Sequence, residues 1–573
     1  MGERKDSRGK IKYVVCFVIL WVLQMAAAFW FCTQKQGFHE DEFYTYYSTA
    51  RTNGFYVEDG KWMERDAYRN EFVVLPEERF QYGRVMQVQS WDVHPPMYYW
   101  VFHTVASLVP GVFSKWIGLS VNLFFHGMNL ILLTYLSYLT AGGDRRLPLL
   151  VMFVCGFSPA AMSGVVFIRM YEMLTAFVLL CAVLHVRAVL RLQSGAEGKE
   201  GGRAADAQCR SRLPVKTLLA MAAVTYVGFL TQYYYFIFLF FLAAAFGLWL
   251  LRRDREIGNC LWYGLFQGAA FVLAYLTYPA FPGQMFRGQR GAQATENFLD
   301  LSNTFERISF FWDLMSRYVF GGLLGLMLLF LAAAAVAVRV SDAGRRRKES
   351  TGKANSLQGW RPEESGDASG AVFYMLLFTA AGYFLAVSKT ALLLGETSNR
   401  YQLPIYGIAE MLLVLGAAKV LRGFLPVWGT GYGKRMAGLA VVFCVAVVAL
   451  SYVRADVVFL YPEDREQTAR AAERAAAHAP AVYFYRPGEE WCIWDVADEL
   501  LEYPGVYFVA ADGTGPIVDE KIETAASLVV YLAKGADIRE QLARLPQNDG
   551  APVQNCLQPA FEEKYCDVYD LSR

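Results

Sequence analysis

"HPPMYYWVFHTVASLVPG", residues 94–111, is the stretch on which the topology of the chain turns. It is apolar and aromatic, and it reads either as a membrane span or as a helix lying in the interface. Around it, apolar runs recur near 11–31, 116–140, 147–163, 170–190, 217–231, 233–251, 259–281, 314–338, 371–394, 402–421 and 437–453. A span needs roughly 20 apolar residues, so several of these are marginal by length. The first follows the basic stretch MGERKDSRGK. It resembles a signal peptide at Ala26-Ala27-Ala28, yet it is long and continues through Phe29-Trp30-Phe31, which makes an uncleaved anchor the better reading.

The basic residues decide between the two readings of 94–111, because cytoplasmic loops carry the excess of Lys and Arg. If 94–111 lies flat outside, with the N-terminus inside, then Arg145-Arg146, the stretch from Arg187 to Lys216, Arg252-Arg253, Arg345-Arg346-Arg347-Lys348 and Lys434-Arg435 all fall in the cytoplasm. If it spans, every one of those clusters moves outside. The interfacial reading prevails. It gives a polytopic α-helical membrane protein of about eleven spans, with interfacial helices in a large first outer loop (32–115).

Composition agrees. Of 573 residues, 55% are hydrophobic and only 19% charged, against roughly 25% charged in soluble domains. The net charge of +1 says little about partners, and no nucleic-acid partner is expected. The ten cysteines show no C-x-x-C pair, so neither a zinc site nor a disulfide framework is signalled. No internal repeat, P-loop or dinucleotide-binding glycine pattern stands out. The stretches 341–370 and 193–212 are polar and Gly/Ser-rich, and read as disordered cytoplasmic linkers.

The chain from 456 to 573 is different material. "AVYFYR", "GVYFVA" and "SLVVYL" read as strands, and "DREQTARAAERAAAHA" and "ADIREQLARL" as helices. A small extracytoplasmic α/β domain follows, separate from a transmembrane domain over 1–455. Cys492, Cys556 and Cys566 lie in it, and that compartment would permit one disulfide.

Sorting polar residues by side yields the candidate site. The outer face collects Asp41 and Glu42, Asp92 and His94, Arg169, Tyr171 and Glu172, Gln232 and Tyr234, and Arg400 and Tyr401. Ionisable groups are costly in hydrocarbon and tend to face a cavity or one another. Each also has an ordinary reading. Asp41 and Glu42 could cap a helix, Arg169 and Glu172 could form an i,i+3 pair, and His94-Pro95-Pro96 could simply start a helix. Arg400 could snorkel to headgroups, and the tyrosines could form an interfacial belt. Their convergence suits a reaction on a lipid-borne phosphate: a carboxylate takes the acceptor's proton and an arginine holds the phosphate charge.

The "DE" at 41–42, "HPPMYY" at 94–99, "RMYEML" at 169–174 and "RYQLP" at 400–404 resemble the signature stretches of bacterial GT-C glycosyltransferases, the superfamily of protein O-mannosyltransferases and lipid A aminoarabinose transferases (glycosyltransferase family 39). The resemblance covers roughly 10–455. It implies inverting transfer of a sugar from a polyprenyl phosphate to a protein, lipid or envelope glycan at the outer face of the cytoplasmic membrane. It also implies Asp41 as base with Glu42 beside it, and Arg400 facing the donor phosphate. The acidic run here is "EDE", so Glu40 could share the role. No cofactor is called for, and a divalent cation is left open. The alternatives are a transporter or flippase of a lipid-linked sugar, for which paired repeats and mid-membrane polar breaks would be expected, and a sensor with an outer ligand-binding domain.

Overall fold

The computed structural model describes residues 2–50, 57–197, 212–254, 257–351, 366–428, 432–546 and 558–572. Seven of its helices are long and apolar enough to cross a membrane: Gly9–Gln34, Lys115–Thr140, Tyr171–Ser194, Tyr234–Arg253, Gly258–Thr277, Ser369–Thr390 and Leu403–Leu421. Two bent pairs and two shorter apolar helices, Val215–Thr231 and Gly438–Arg454, accompany them. The chain is a polytopic membrane protein.

The two bends depart from the continuous runs expected at 147–163 and 314–338, and each has a local cause. Leu147–Gly156 and Pro159–Val166 meet at 58°. Between them Ser158 caps the second helix by accepting from the Ala161 N–H, and Pro159 fits a first turn but cannot continue a preceding helix. Thr304–Phe320 and Leu324–Val340 meet at 84°, where Gly321 and Gly322 both adopt positive φ, the usual left-handed stop of a helix.

Residues 94–111 form the helix Met97–Leu108. At 1.5 Å per residue its 12 residues are too short to span. Tyr98, Tyr99, Phe102 and Ala106 bury one side of it. Of the expected linkers, helix continues to Thr351 and resumes at Gly366. Residues 352–365 and 198–211 lie outside the described residues.

Beyond residue 456 the strands fall where the sequence places them. β2 (Ala481–Tyr485), β3 (Gly505–Ala510) and β4 (Ser527–Ala533) are parallel, with β2 between the other two. Three strands were not anticipated: β1 (Lys61–Glu64), β5 (Phe561–Glu562) and β6 (Cys566–Ser572), all antiparallel to their neighbours, in the order β1-β3-β2-β4-β6-β5. The sheet thus takes an edge strand from the first loop. Alternation along β2 sends Tyr483 and Tyr485 to the face continuous with the helical core, and Val482 and Phe484 to a separate outer core. Such strands, buried on both faces, read as unbroken apolar runs. Cys492 and Cys566 are free thiols, and Cys556 lies outside the described residues.

Where the sheet meets the helical part, carboxylates crowd. Burial, reinforced by neighbouring acids, pushes Asp464 and Glu499 up to about 8, and Glu563 up to about 7. Burial also carries Asp498 up to about 7 against the opposing pull of Lys35, with smaller pushes from Glu42 and Glu502. Asp464 also forbids a side chain at Gly37, whose Cβ would stand 1.9 Å from the Asp464 carboxylate. A carboxyl whose folded pKa is raised binds more protons folded than unfolded, so stability falls as pH rises between the two values. The thermal midpoint of the detergent-solubilised protein should therefore decline from about pH 5 to pH 8, and Glu499→Gln should flatten that decline.

Candidate active site

The site grows from the turn between the first helix, α1 (Gly2–Gln34), and the next, α2 (Glu40–Ala50). Three acids occupy the first turn of α2, where the exposed N–H groups and the helix dipole favour negative charge. They point three ways, because successive residues on a helix are about 100° apart.

Glu42 turns inward. Its side chain is fully buried, 2.9 Å from the Lys35 ammonium, itself fully buried. Its oxygens also accept the His39 N–H at 2.7 Å and the Ile168 N–H at 2.7 Å. Lys35 donates onward to the Phe459 carbonyl at 2.7 Å. Glu42 is therefore not beside the Asp41 carboxylate, as the sequence suggested. It ties α1, α2, the 167–170 turn and the entry to the C-terminal sheet into one knot.

Glu40 turns toward the sheet. Lys564 and the Tyr565 hydroxyl donate to it, and His39 Nε2 lies 3.2 Å away. His39 Nδ1 accepts from the Asp41 N–H at 3.0 Å, which fixes the proton on Nε2. Burial, with Arg400 and Lys564 nearby, lowers the His39 pKa well below its ordinary value despite Asp41.

Asp41 keeps solvent access, its side chain 32% exposed, with Arg400 Nη1 at 2.7 Å from Oδ2. Arg169 Nη1 donates to the Asp41 carbonyl at 3.0 Å, the Thr45 hydroxyl at 3.1 Å and the Tyr99 hydroxyl at 3.1 Å. Its Nη2 meets His94 Nε2 at 3.3 Å, and His94 Nδ1 meets Asp92 Oδ2 at 2.9 Å. Burial would push the Asp41 carboxyl up, but Arg400 and Arg169 outweigh it and hold it well below the carboxylate range. Asp92 is likewise held low against burial by His94.

Arg400 is only 4% exposed, too buried to snorkel. Its guanidinium lies over Phe167 at 5.3 Å and Tyr401 at 5.1 Å, and Tyr171 and Tyr234 pack edge-on to the Tyr401 ring. Nη2 donates to the Tyr401 hydroxyl at 3.3 Å. Nε is buried with no hydrogen-bond partner among the described residues.

Asp41, Asp92, His94, Arg169, Tyr171, Tyr234, Arg400 and Tyr401 thus come together from five separate segments. Glu172 and Gln232 do not join them. Glu172 accepts from Asn129 Nδ2 at 2.7 Å and lies 3.5 Å from His126, in a separate pocket lined also by Cys155 and Tyr406. It makes no pair with Arg169. Gln232 is buried at the C-terminal cap of Val215–Thr231. No three His, Cys, Asp or Glu side chains among the described residues are grouped to hold a metal ion.

Sequence reasoning missed Lys35, Thr45, Tyr99 and Gln284. Gln284 accepts from the Tyr233 hydroxyl and donates to the Asp92 carbonyl, pinning the 92–94 turn. A lone lysine just after a span was the one signal available. Lys564 and Tyr565, some 520 residues from Glu40 along the chain, gave none.

Among solved structures the chain is similar to ArnT from Cupriavidus metallidurans bound to undecaprenyl phosphate, at 12% identity over 98% of each chain with a TM-score of 0.50. The archaeal oligosaccharyltransferase AglB from Archaeoglobus fulgidus, in complex with an inhibitory peptide and a dolichol-phosphate, matches over 91% of this chain and 70% of its own at 11% identity and a TM-score of 0.42. The ArnT superposition bears on the fold. No protein-family model and no curated protein matches the sequence.

The Lys35–Glu42 pair yields a stability prediction. Removing one partner of a buried pair strands the other charge and costs about 3–5 kcal/mol. Glu42→Gln should lower the unfolding midpoint by that order, whereas Glu466→Gln, which breaks an exposed i,i+4 pair with Arg470, should leave it within about 0.5 kcal/mol. Thermal unfolding followed by tryptophan fluorescence compares them directly.

Proposed function

We propose that the chain is an inverting membrane glycosyltransferase that moves a sugar from a polyprenyl phosphate to a hydroxyl of an extracytoplasmic acceptor. Asp41 is the base, and Arg400 and Arg169 hold the donor phosphate. The observation that carries this reading is the Arg400 Nε, which has no hydrogen-bond partner among the described residues and is buried beside a carboxylate that itself keeps solvent access. An orphan buried donor calls for a partner, and a phosphate oxygen is the natural one for a guanidinium. The ArnT likeness supports the fold on which such chemistry runs, and that neighbour holds undecaprenyl phosphate.

The charges also suggest how the base is switched on. With Arg400 against it, Asp41 is a weak base. A phosphate drawing the guanidinium toward itself would relax that pair and raise the carboxyl's basicity as the donor seats. The acceptor proton then passes to Asp41 while the oxygen attacks the anomeric carbon. The glycosyl–phosphate bond breaks with its electrons going to the phosphate, whose growing charge the two arginines stabilise. His94 and Asp92 hold Arg169 in place; Glu42 is assigned no chemical step.

A transporter would be expected to carry its polar groups along a path through the membrane. Here the arginines and Asp41 sit in turns at helix ends. We place all eleven apolar elements across the cytoplasmic membrane, with Met97–Leu108 on its outer surface and the C-terminal domain outside. The sugar, the acceptor and any divalent cation are not specified by this geometry.

Asp41→Asn should lower transfer from a polyprenyl-phosphate sugar by about 10²–10⁴-fold with expression unchanged. Loss on Glu40→Gln together with full activity of Asp41→Asn would move the base by one residue. Arg400→Ala should lower single-turnover transfer at saturating donor by about 10²–10³-fold, and Arg400→Lys, which keeps charge but not the fork, should retain part of it. An unchanged Arg400→Ala rate would remove that residue from the site.

Topology is tested separately. In a cysteine-free background, Val518→Cys, at a position 77% exposed, should react with an impermeant thiol reagent in intact cells. Lys216→Cys should react only after permeabilisation. The reverse pattern would overturn the assigned sidedness.

A further inference from the structure

The C-terminal sheet holds a second candidate site. β2 is the first parallel strand; the chain then adds β3 on one side of it and β4 on the other. The connection leaving β2 packs Ile493, Trp494 and Leu500 onto the face that joins the helical core. The connection leaving β4 packs Leu542 and Leu545 onto the opposite face. Two chains diverging to opposite faces from neighbouring parallel strands open a crevice at the strands' carboxyl ends, the place where open α/β sheets bind ligands.

A solvent-open cleft of about 120 Å³ lies there, bounded by Tyr485 and Arg486 at the end of β2, Ala533 and Lys534 at the end of β4, and Tyr565 from the β5–β6 turn. The Arg486 guanidinium lies against the bare backbone of Gly535, where a Cβ would stand 2.3 Å from Nη2 and where φ is +84°. Its pair with Glu489 is 3.4 Å long and that of Lys534 with Asp567 is 3.9 Å, all four side chains partly exposed. Such pairs are weak, and both cations can turn to a bound anion. Trp491, 47% exposed, packs edge-on to the Tyr565 ring at 5.1 Å, giving a wall of the kind on which a sugar ring stacks. Cys492 also lines the cleft, but burial pushes its thiol up to about 12, so the cleft offers a protonated thiol there.

Tyr565 gives the cleft its direction. Its hydroxyl reaches Glu40 at 3.4 Å, the residue before Asp41, and its neighbour Lys564 pairs with the same carboxylate. The cleft wall and the turn that carries the base are therefore in contact.

We propose that this cleft binds an anionic saccharide, its phosphate or carboxylate on Arg486 and Lys534 and its ring against Tyr565 and Trp491. Its assignment as the acceptor's site rests on the transferase reading above; the binding itself does not. The full chain in detergent is titrated with glucose 6-phosphate, glucose and inorganic phosphate, followed by saturation-transfer NMR and calorimetry. Glucose 6-phosphate should bind more tightly than either of the others. Arg486→Ala/Lys534→Ala should weaken it at least tenfold while leaving undecaprenyl phosphate binding unchanged. Lys534→Glu, a single change at an exposed position, should weaken it in the same sense. Equal binding of glucose and glucose 6-phosphate, no binding, or full affinity in both variants would overturn the proposal. A chain that binds glucose 6-phosphate in this way yet transfers nothing from any polyprenyl-phosphate sugar would overturn the transferase reading and leave the cleft standing.

Discussion

The buried pair of Lys35 and Glu42 holds the rest of the site in register. Neither side chain exposes any surface, and such a pair is stable only when hydrogen bonds satisfy what the charges leave over. Here two backbone N–H groups complete the carboxylate and a backbone carbonyl takes a further ammonium proton. Those bonds reach residues 39, 168 and 459, so satisfying one ion pair fixes three segments distant in sequence. The Ile168 N–H held by Glu42 precedes Arg169, and the His39 N–H held by Glu42 precedes the acidic turn. Arg169 and Asp41 therefore meet as a consequence of a neighbouring pair.

The three consecutive acids show how one helical turn divides labour. Glu42 is spent on structure, Glu40 on contact with the C-terminal sheet, and Asp41 alone keeps an open carboxylate. The two arginines around Asp41 come from turns far apart in the sequence, near 169 and 400. Both are nearly inaccessible to solvent, and their charge is balanced locally by Asp41 and, through His94, by Asp92. That balance leaves the buried Arg400 Nε–H without a partner among the described residues. In a low-dielectric setting an unpaired donor is costly, which is why it points to a ligand more strongly than the charge alone.

The C-terminal sheet is bound to the helical part through its apolar face and through β1. Tyr44 and Tyr47 of α2 pack on Trp494 at 5.2 and 5.0 Å, and Lys61–Glu64 from the first loop completes the sheet edge beside β3. The segment that carries Asp41 is thus gripped on one side by α1 and on the other by the sheet. Movement of the sheet relative to the helices would be felt at Glu40 and His39 first.

The sequence by itself determined the membrane character, the order of apolar elements and the positions of three strands beyond residue 456. Each depends on composition or periodicity within a window of neighbouring residues, and these are local properties. It also singled out Asp41, Arg169 and Arg400, because a charge at the end of an apolar run is visible without knowing its partner. What only the tertiary structure decided is direction and partnership. Whether Glu42 or Asp41 keeps solvent access depends on about 100° of helix rotation, set by where Lys35 and Ile168 lie. Glu172, three residues from Arg169, turns to Asn129 and His126 because the Lys115–Thr140 helix packs beside it. β1, a four-residue strand, and the Lys564–Glu40 contact had no local signature, since each exists only once two parts of the chain far apart in sequence have been brought together.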